Sequence, residues 1–331
     1  MTASSGPGVV AGAPTRGPAP YRDQADLTTA RSAIPRVVVV SRPTEYEELV
    51  RRHGTRAQAA FFLGDRRSLL DEIEARHAAQ EAALARVSAD VPTKWRRSRV
   101  PRAELSRFVF EPGDVIVAVG QDGLVANVAK YLEGQTVIGV DPLPGKNAGA
   151  LVRFGVTQAS EALRLAVEGR ARLETRTMVE ARLDDGQSLV ALNEIYCGHR
   201  THQSSRYRLA LGAREERHSS SGLIVATGTG ATGWSLSIAR AVGATELLPA
   251  PTDRALAYFV REAWPSPTTG TTLVRGRVGE HAEQASLRVT SEMNEGGVVF
   301  GDGIEDDRIT VGWGVRVTLG IAPRALRLAV P

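Results

Sequence analysis

Asp114-Val-Ile-Val-Ala-Val-Gly-Gln-Asp-Gly123 is the stretch on which the fold turns. An uninterrupted apolar run of this length suits a strand buried on both faces, as in a parallel sheet. It ends in Gly120-Gln-Asp122-Gly123, where the carboxyl end of a strand in an open α/β sheet meets its ligand. Glycines there let the backbone approach phosphate, and a following helix offers free N–H groups to an anion. A carboxylate in such a place repels phosphate unless it handles a proton or a metal. Asp122 is therefore a candidate base or orienting group for an attacking hydroxyl. The competing reading is an ordinary strand–turn–helix with an Asx turn.

Working outward, Arg36-Val-Val-Val-Val40 reads as another buried strand and Glu45–His53 as a helix with acids early and bases late. Ala57–Phe62 is a short helix or strand. Ser68–Val87 is a long helix with Ser68 as cap and Leu69, Leu70, Ile73 and Leu84 on its apolar side. Past the glycine motif come a helix at Leu124–Leu132 and a strand at Thr136–Val140. Strands alternating with helices predict an α/β domain with a parallel sheet over residues 34–157. From about Arg170 the texture changes to short alternating segments, among them Leu173–Leu183, Ser188–Cys197, Arg206–Leu211 and Val315–Ile321, punctuated by Gly, Asp or Pro. Residues 158–331 are thus expected to form a β-rich second domain. Residues 1–33, rich in Pro, Gly and Ala and without the features of a secretory signal, read as a disordered leader.

The chain of 331 residues, 42% hydrophobic, has ample length for two domains and is not disordered as a whole. Its 41 basic residues are 38 Arg and three Lys, against 37 acids. A net charge of +4 is no nucleic-acid signature. The excess is local: residues 94–107 hold six basic side chains and one acidic. Arg96, Arg97 and Arg99 there either serve a polyphosphate donor or form a solvated loop. A lone cysteine, Cys197, excludes an internal disulfide and a cysteine-based zinc site. No apolar run is long enough to span a bilayer, so no membrane is expected and a cytoplasmic setting is the default.

Four further segments carry chemistry or imitate it. Gly228-Thr-Gly230-Ala-Thr-Gly233 follows a strand and precedes a helix, with Asp253 twenty residues on, as a dinucleotide fingerprint requires. The two prolines between Glu246 and Asp253 and the β-rich surroundings argue against it, so the segment reads as a Gly/Thr loop contacting a nucleotide. Gly139-Val-Asp-Pro-Leu-Pro-Gly145-Lys146-Asn147 is one residue too long for a Walker A loop and lacks its Ser/Thr; it reads as a loop over the same pocket. Asn193-Glu194 puts two polar residues side by side in an apolar strand. One of them must be buried and satisfied, or the strand ends at a site. His199, His202 and Arg206 form a polar cluster with no cysteine or acid nearby, which favours a solvated loop over a metal site.

Together these segments resemble the NAD kinase family, most of all its mitochondrial type and that type's bacterial relatives. The resemblance runs from about residue 100 to 237. It rests on Gly120-Gln-Asp-Gly123, Val137-Ile-Gly-Val-Asp-Pro142, Leu192-Asn-Glu-Ile-Tyr-Cys-Gly198 and Ser220–Ser237, with a weaker likeness at Phe300-Gly-Asp-Gly303. It implies an enzyme that phosphorylates the 2′-hydroxyl of the adenosine ribose of NAD, using ATP and a divalent metal, Mg2+. Asp122 would be catalytic, with Gly120, Gln121 and Gly123 at the phosphates. Asn193 and Glu194 would grip the NAD nucleoside, Thr232, Gly233 and Trp234 would line its adenine side, and Ser237 would lie nearby. A homo-oligomer, a site between the two domains, and a return of Arg324–Pro331 to the first domain are also implied. The chain departs from the family at Gln121 (glycine), Leu124 (threonine), Trp234 (tyrosine) and Ser221 (an acid). These departures keep two alternatives open: a kinase of another nucleoside or sugar hydroxyl, and a catalytically weak NAD(P)-binding regulator.

Overall fold

The structure is a computed structural model describing residues 34–331 except 65–66, 146–148 and 280–284. The expected leader and the Lys146-Asn147 pair lie outside the described residues.

The valine run forms β1 (Arg36–Ser41), and Thr44 then starts α1 (Glu45–His53) with a reciprocal capping box to Glu47. Arg56–Leu63 is helical (α2), which settles the helix-or-strand choice there. The long helix α3 spans Arg67–Asp90, so Ser68 lies inside it and is not its cap. The basic stretch is not a loop: Arg96–Pro101 is strand β2, followed by a 3-10 turn at Arg102–Arg107. Then come β3 (Val115–Val119), α4 (Asp122–Ala129), β4 (Thr136–Asp141), the short β5 (Phe154–Gly155) and α5 (Ala159–Val167). Helix α5 buries Ala159, Ala162, Leu163 and Ala166, a stripe at helical spacing made mostly of alanine and therefore weak as a hydrophobic signal.

The rest is nearly all strand: β6 (Leu173–Leu183), β7 (Ser188–Ala191), β8 (Glu194–His199), β9 (Ser205–Leu211), β10 (Arg214–Ser220) and β11 (Leu223–Ala226). Helix α6 (Trp234–Ala241) follows, then β12 (Leu256–Val260), β13 (Arg275–Val278), β14 (Ser286–Ser291), β15 (Gly297–Gly301), β16 (Ile304–Thr310) and β17 (Arg316–Ala329).

Two sheets organise these strands. In the larger, β2, β1, β3 and β4 run parallel, with α3 and α5 packed on one face and α4 on the other. The same sheet continues through β17 into antiparallel β6, β14, β9 and β10. The smaller sheet, β13-β12-β11-β8-β15-β16, is antiparallel throughout. The antiparallel part of the first sheet packs on the second around Tyr207, Tyr258, Leu256 and Leu319. Cys197 is buried in that core, which pushes its thiol up to about 12.

Strand β17 joins the two halves. It pairs with β6 from Val317 to Ala329, with a break between Ile321 and Ala325 where Pro323 has no N–H to give. Beyond that break Arg327 and Leu328 pair in parallel with Thr136 and Val137 of β4. Among the described residues no helix is long and apolar enough to cross a membrane.

Candidate active site

Asp122 is the first residue of α4, just past the carboxyl end of β3. Its Oδ1 accepts the backbone N–H groups of Leu151 and Val152, both at 2.9 Å, and its Oδ2 accepts that of Ala150 at 3.1 Å. A carboxylate offers about four lone-pair positions, so among the described residues one remains, on Oδ2. The segment it holds returns over β4 at Gly139, where any side chain would collide with the Leu151 carbonyl. Gln121 is tolerated in a glycine's place because its φ is −111°, an ordinary extended value. Its Oε1 accepts a hydrogen bond from Arg42 Nη2 at 3.0 Å. Leu124 is buried in the core, its side chain packed beneath Gly120 of the loop. Arg42 was not among the expected site residues; its signal was its position in the polar segment after β1, the strand beside β3.

The Asn193-Glu194 pair sits where a strand ends. The expected strand Ser188–Cys197 is two strands, β7 in the larger sheet and β8 in the smaller, and the chain crosses between them at Leu192-Asn193. The crossing is held from two sides. Asp302 accepts from Asn193 N at 2.7 Å and Leu192 N at 3.1 Å, while its own N–H donates to Glu194 O at 3.0 Å. From the other side Thr227 donates its hydroxyl to Leu192 O (2.6 Å) and its N–H to Asn193 O (2.9 Å).

Asp302 occupies the left-handed region (φ 55°), which aspartate tolerates, in the turn between β15 and β16. Burial raises its carboxyl above the ordinary range, against the backbone donors and the nearby Lys130. Lys130 is buried at the end of α4, donates to Gly301 O at 3.2 Å and pairs with Asp307 at 3.5 Å. Burial, and then the charge of Asp302, push Glu194 up to about 7. Asp302 and Lys130 are the residues that sequence reading missed here; the Gly-Asp-Gly at 301–303 was the available sign.

The Gly/Thr loop is not a dinucleotide fingerprint. Its strand, β11, is antiparallel to both neighbours, and Asp253 closes a turn onto Ala250 N. Two of its glycines serve backbone packing. A side chain at Gly228 would strike the Ala250 carbonyl, and one at Gly230 the Asn193 carbonyl. Gly230 thereby seats the loop directly on the Asn193-Glu194 crossing. Thr229 is buried beside it with no hydrogen-bond partner for its hydroxyl among the described residues.

These parts enclose a cavity of about 140 Å³. Of the expected residues, Asp122, Asn193, Glu194, Thr232, Gly233 and Trp234 line it, with Thr229 among them. Gly120, Gln121 and Gly123 stay outside its wall, and Ser237 is exposed on α6, one turn beyond Trp234. Trp234 stacks on Tyr196 (6.2 Å, 18°) and carries the Arg261 guanidinium over its ring at 5.2 Å. It also borders a second cavity, of about 510 Å³, which includes His199 and His202. The histidines do not form a solvated loop as a pair: His202 is exposed, but His199 is buried and its Nδ1 accepts from Thr201 N at 3.1 Å.

Arg96 and Arg97 of the basic stretch do not reach this place, whereas Arg99, opposite Val39, lies nearer the carboxyl end of the sheet. In the parallel register Arg96 lies opposite Arg36, at the far end of the strands, roughly 15 Å from the mouth at a rise of about 3.3 Å per residue. There Arg96 pairs with Glu111 at 2.9 Å and Arg97 reaches Ser88 O. Among the described residues the histidine–acid group close enough to hold a metal is Glu47, His77 and Glu81. Glu47 already closes the α1 cap, and His77 Nδ1 faces the Thr44 hydroxyl.

Comparison with known proteins gives a consistent answer. No family model matches the chain. It is similar to the NAD kinase of Heliobacterium modesticaldum, 34% identical over 166 residues that cover 45% of this chain and 58% of the relative. It is also similar to the NAD kinase of Chlorobaculum tepidum, 28% identical over 147 residues that cover 44% and 48%. The chain spans about half the length of the curated relatives it matches. Among solved structures it superposes on an NAD kinase from Archaeoglobus fulgidus in complex with ATP (TM-score 0.54, 19% identity, 89% of this chain and 93% of that one). It superposes also on yeast NADH kinase complexed with NADH (TM-score 0.56, 14% identity, 91% and 84%). The fold is that of these enzymes, and the curated relatives support the resemblance to the NAD kinase family.

Proposed function

We propose that this chain, with the fold and the sequence relatives of the NAD kinases, transfers the terminal phosphoryl group of ATP to the 2′-hydroxyl of the adenosine ribose of NAD. The observation that carries the reading is the convergence of Asp122 and Asn193-Glu194 on one cavity from different sheets. The acceptor hydroxyl donates to the open lone pair on Asp122 Oδ2, which aims its oxygen at the phosphorus. As the new O–P bond forms and the bond to ADP breaks, the hydroxyl proton passes toward Asp122. Asn193 and Glu194 hold the acceptor nucleoside, with Thr232, Gly233 and Trp234 against its base. The backbone of Gly120–Gly123 at the start of α4, with Arg42 beside it, faces the donor phosphates. Phosphoryl transfer asks for little beyond positioning and charge neutralisation, which these groups supply.

A magnesium ion fits this donor set as a partner of the triphosphate. Such an ion binds through substrate phosphates and keeps several waters, which leaves the open position of Asp122 to the acceptor hydroxyl. Bound there, it would neutralise developing phosphate charge. Cytoplasmic small-molecule substrates and a homo-oligomeric assembly belong to the same proposal, through the resemblance. The test is product identity: the protein, ATP, Mg2+ and NAD should give a new 2′-phosphomonoester by phosphorus NMR. A phosphate on any other hydroxyl would refute the reading.

A further inference from the structure

The 140 Å³ cavity at Asp122 is too small for a whole dinucleotide, whereas the 510 Å³ cavity across Trp234 lies within the usual 300–1,000 Å³ range of ligand sites. Its wall combines two kinds of surface. Tyr196, Trp234 and Phe300 form an aromatic platform, with Tyr196 4.9 Å from Phe300 between ring centroids. Arg200, Arg261 and Arg308 surround it, and Glu305 is the acid on the same wall. Arg308 donates to the Glu305 backbone carbonyl, not to its carboxylate, and Arg261 lies over the Trp234 ring. The lining thus carries a formal excess of two positive charges on a surface suited to a planar ring.

We propose that this cavity receives the diphosphate and the distal ring of the acceptor dinucleotide, and that its arginines favour the reduced acceptor over the oxidised one. The inference rests on the proposed function and deepens it by naming the preferred substrate. The chemistry of the acceptor sets the sign. The diphosphate and ring together carry two negative charges when the ring is a neutral dihydronicotinamide, and one when it is a cationic nicotinamide. A cationic ring gains a cation–π contact on an open aromatic face, but Arg261, paired with Glu262 at 3.8 Å, already covers the Trp234 ring, so stacking there does not discriminate. A lining with two excess positive charges does, and it selects NADH. Because Arg200 and Arg308 are exposed, salt weakens the preference.

The experiment compares kcat/KM for NADH and NAD at low and high ionic strength, in the wild type and in Arg261→Gln and Arg308→Gln. The expected wild-type ratio favours NADH by about three- to tenfold at low salt, the scale of one weakly screened charge contact. It should shrink with added salt and fall toward one in each variant, through KM more than kcat. Should Arg261→Gln perturb packing at Trp234, Arg308→Gln at the exposed rim carries the test alone. Equal use of NAD and NADH, or a ratio that neither variant moves, overturns this inference while the kinase reading stands. Phosphorylation of neither dinucleotide overturns both.

Discussion

Asp122 and Glu194 are two carboxylates on one cavity with opposite surroundings, and the difference assigns their roles. Asp122 is clamped by three backbone N–H groups, and in the proposed reaction the position left open among the described residues takes the acceptor hydroxyl. Glu194 lies in a buried setting beside Asp302 and is raised to about 7. For a carboxyl raised in this way the protonated form suits the folded protein. Its contribution to stability is full below the ordinary carboxylate range and is lost as pH climbs through about 7. Urea unfolding between pH 5 and 8 should therefore show the wild type losing stability relative to Glu194→Gln as pH rises; parallel curves would contradict the assignment. Arg42 makes a second case at this scale. Arg42→Gln should raise the KM for ATP about tenfold, the worth of one charge-assisted contact, whereas Arg96→Gln and Arg97→Gln at the far end of the sheet should leave it unchanged. Steady-state kinetics with varied ATP separates the two.

At the scale of elements, the site is a meeting of α4 with two turns, and Lys130 ties them. Helix α4 has Asp122 at one end and Lys130 at the other, and the buried ammonium reaches the turn whose Asp302 holds Asn193-Glu194. Lys130→Met should cost about 1–3 kcal/mol of stability through unpaired buried groups, read by denaturant unfolding. NAD titration of the same variant should show weaker acceptor binding. Stability and binding both at wild-type values would argue against the tie. These elements were unequally legible. The runs at 36–40 and 115–119 announce buried strands because four or five apolar residues in a row admit few other readings. The break at Leu192-Asn193 was visible only as a polar pair inside an apolar run, since the change of sheet is made by distant partners, Asp302 and Thr227. Strand β10 is so polar, and the stripe of α5 so poor in large side chains, that only their neighbours define them. The basic stretch was legible only as charge: register with β1, which the sequence does not show, puts Arg96 and Arg97 at the far end of the sheet and Arg99 nearer the site end.

At the scale of the whole molecule, one strand makes the α/β layer and the β-sandwich continuous. Leu328 of β17 is fully buried and pairs with Val137 of β4, while the same strand pairs along most of β6. Leu328→Ala should lower stability by about 2–5 kcal/mol and keep a single transition, with near- and far-ultraviolet dichroism moving together. Two separated transitions would show that the halves are not coupled through β17. This continuity is what sets Asp122, from one side of the molecule, against Asn193-Glu194, from the crossing to the other sheet. The measurement closest to that claim is the rate of NADP formation from ATP, Mg2+ and NAD by the wild type and by Asp122→Asn, alongside NAD binding by both. The account predicts turnover by the wild type, a fall of about 10²–10⁴-fold in kcat for the variant, and NAD affinity changed little. Undiminished turnover in Asp122→Asn, or NAD bound by the wild type with no NADP formed, would contradict it.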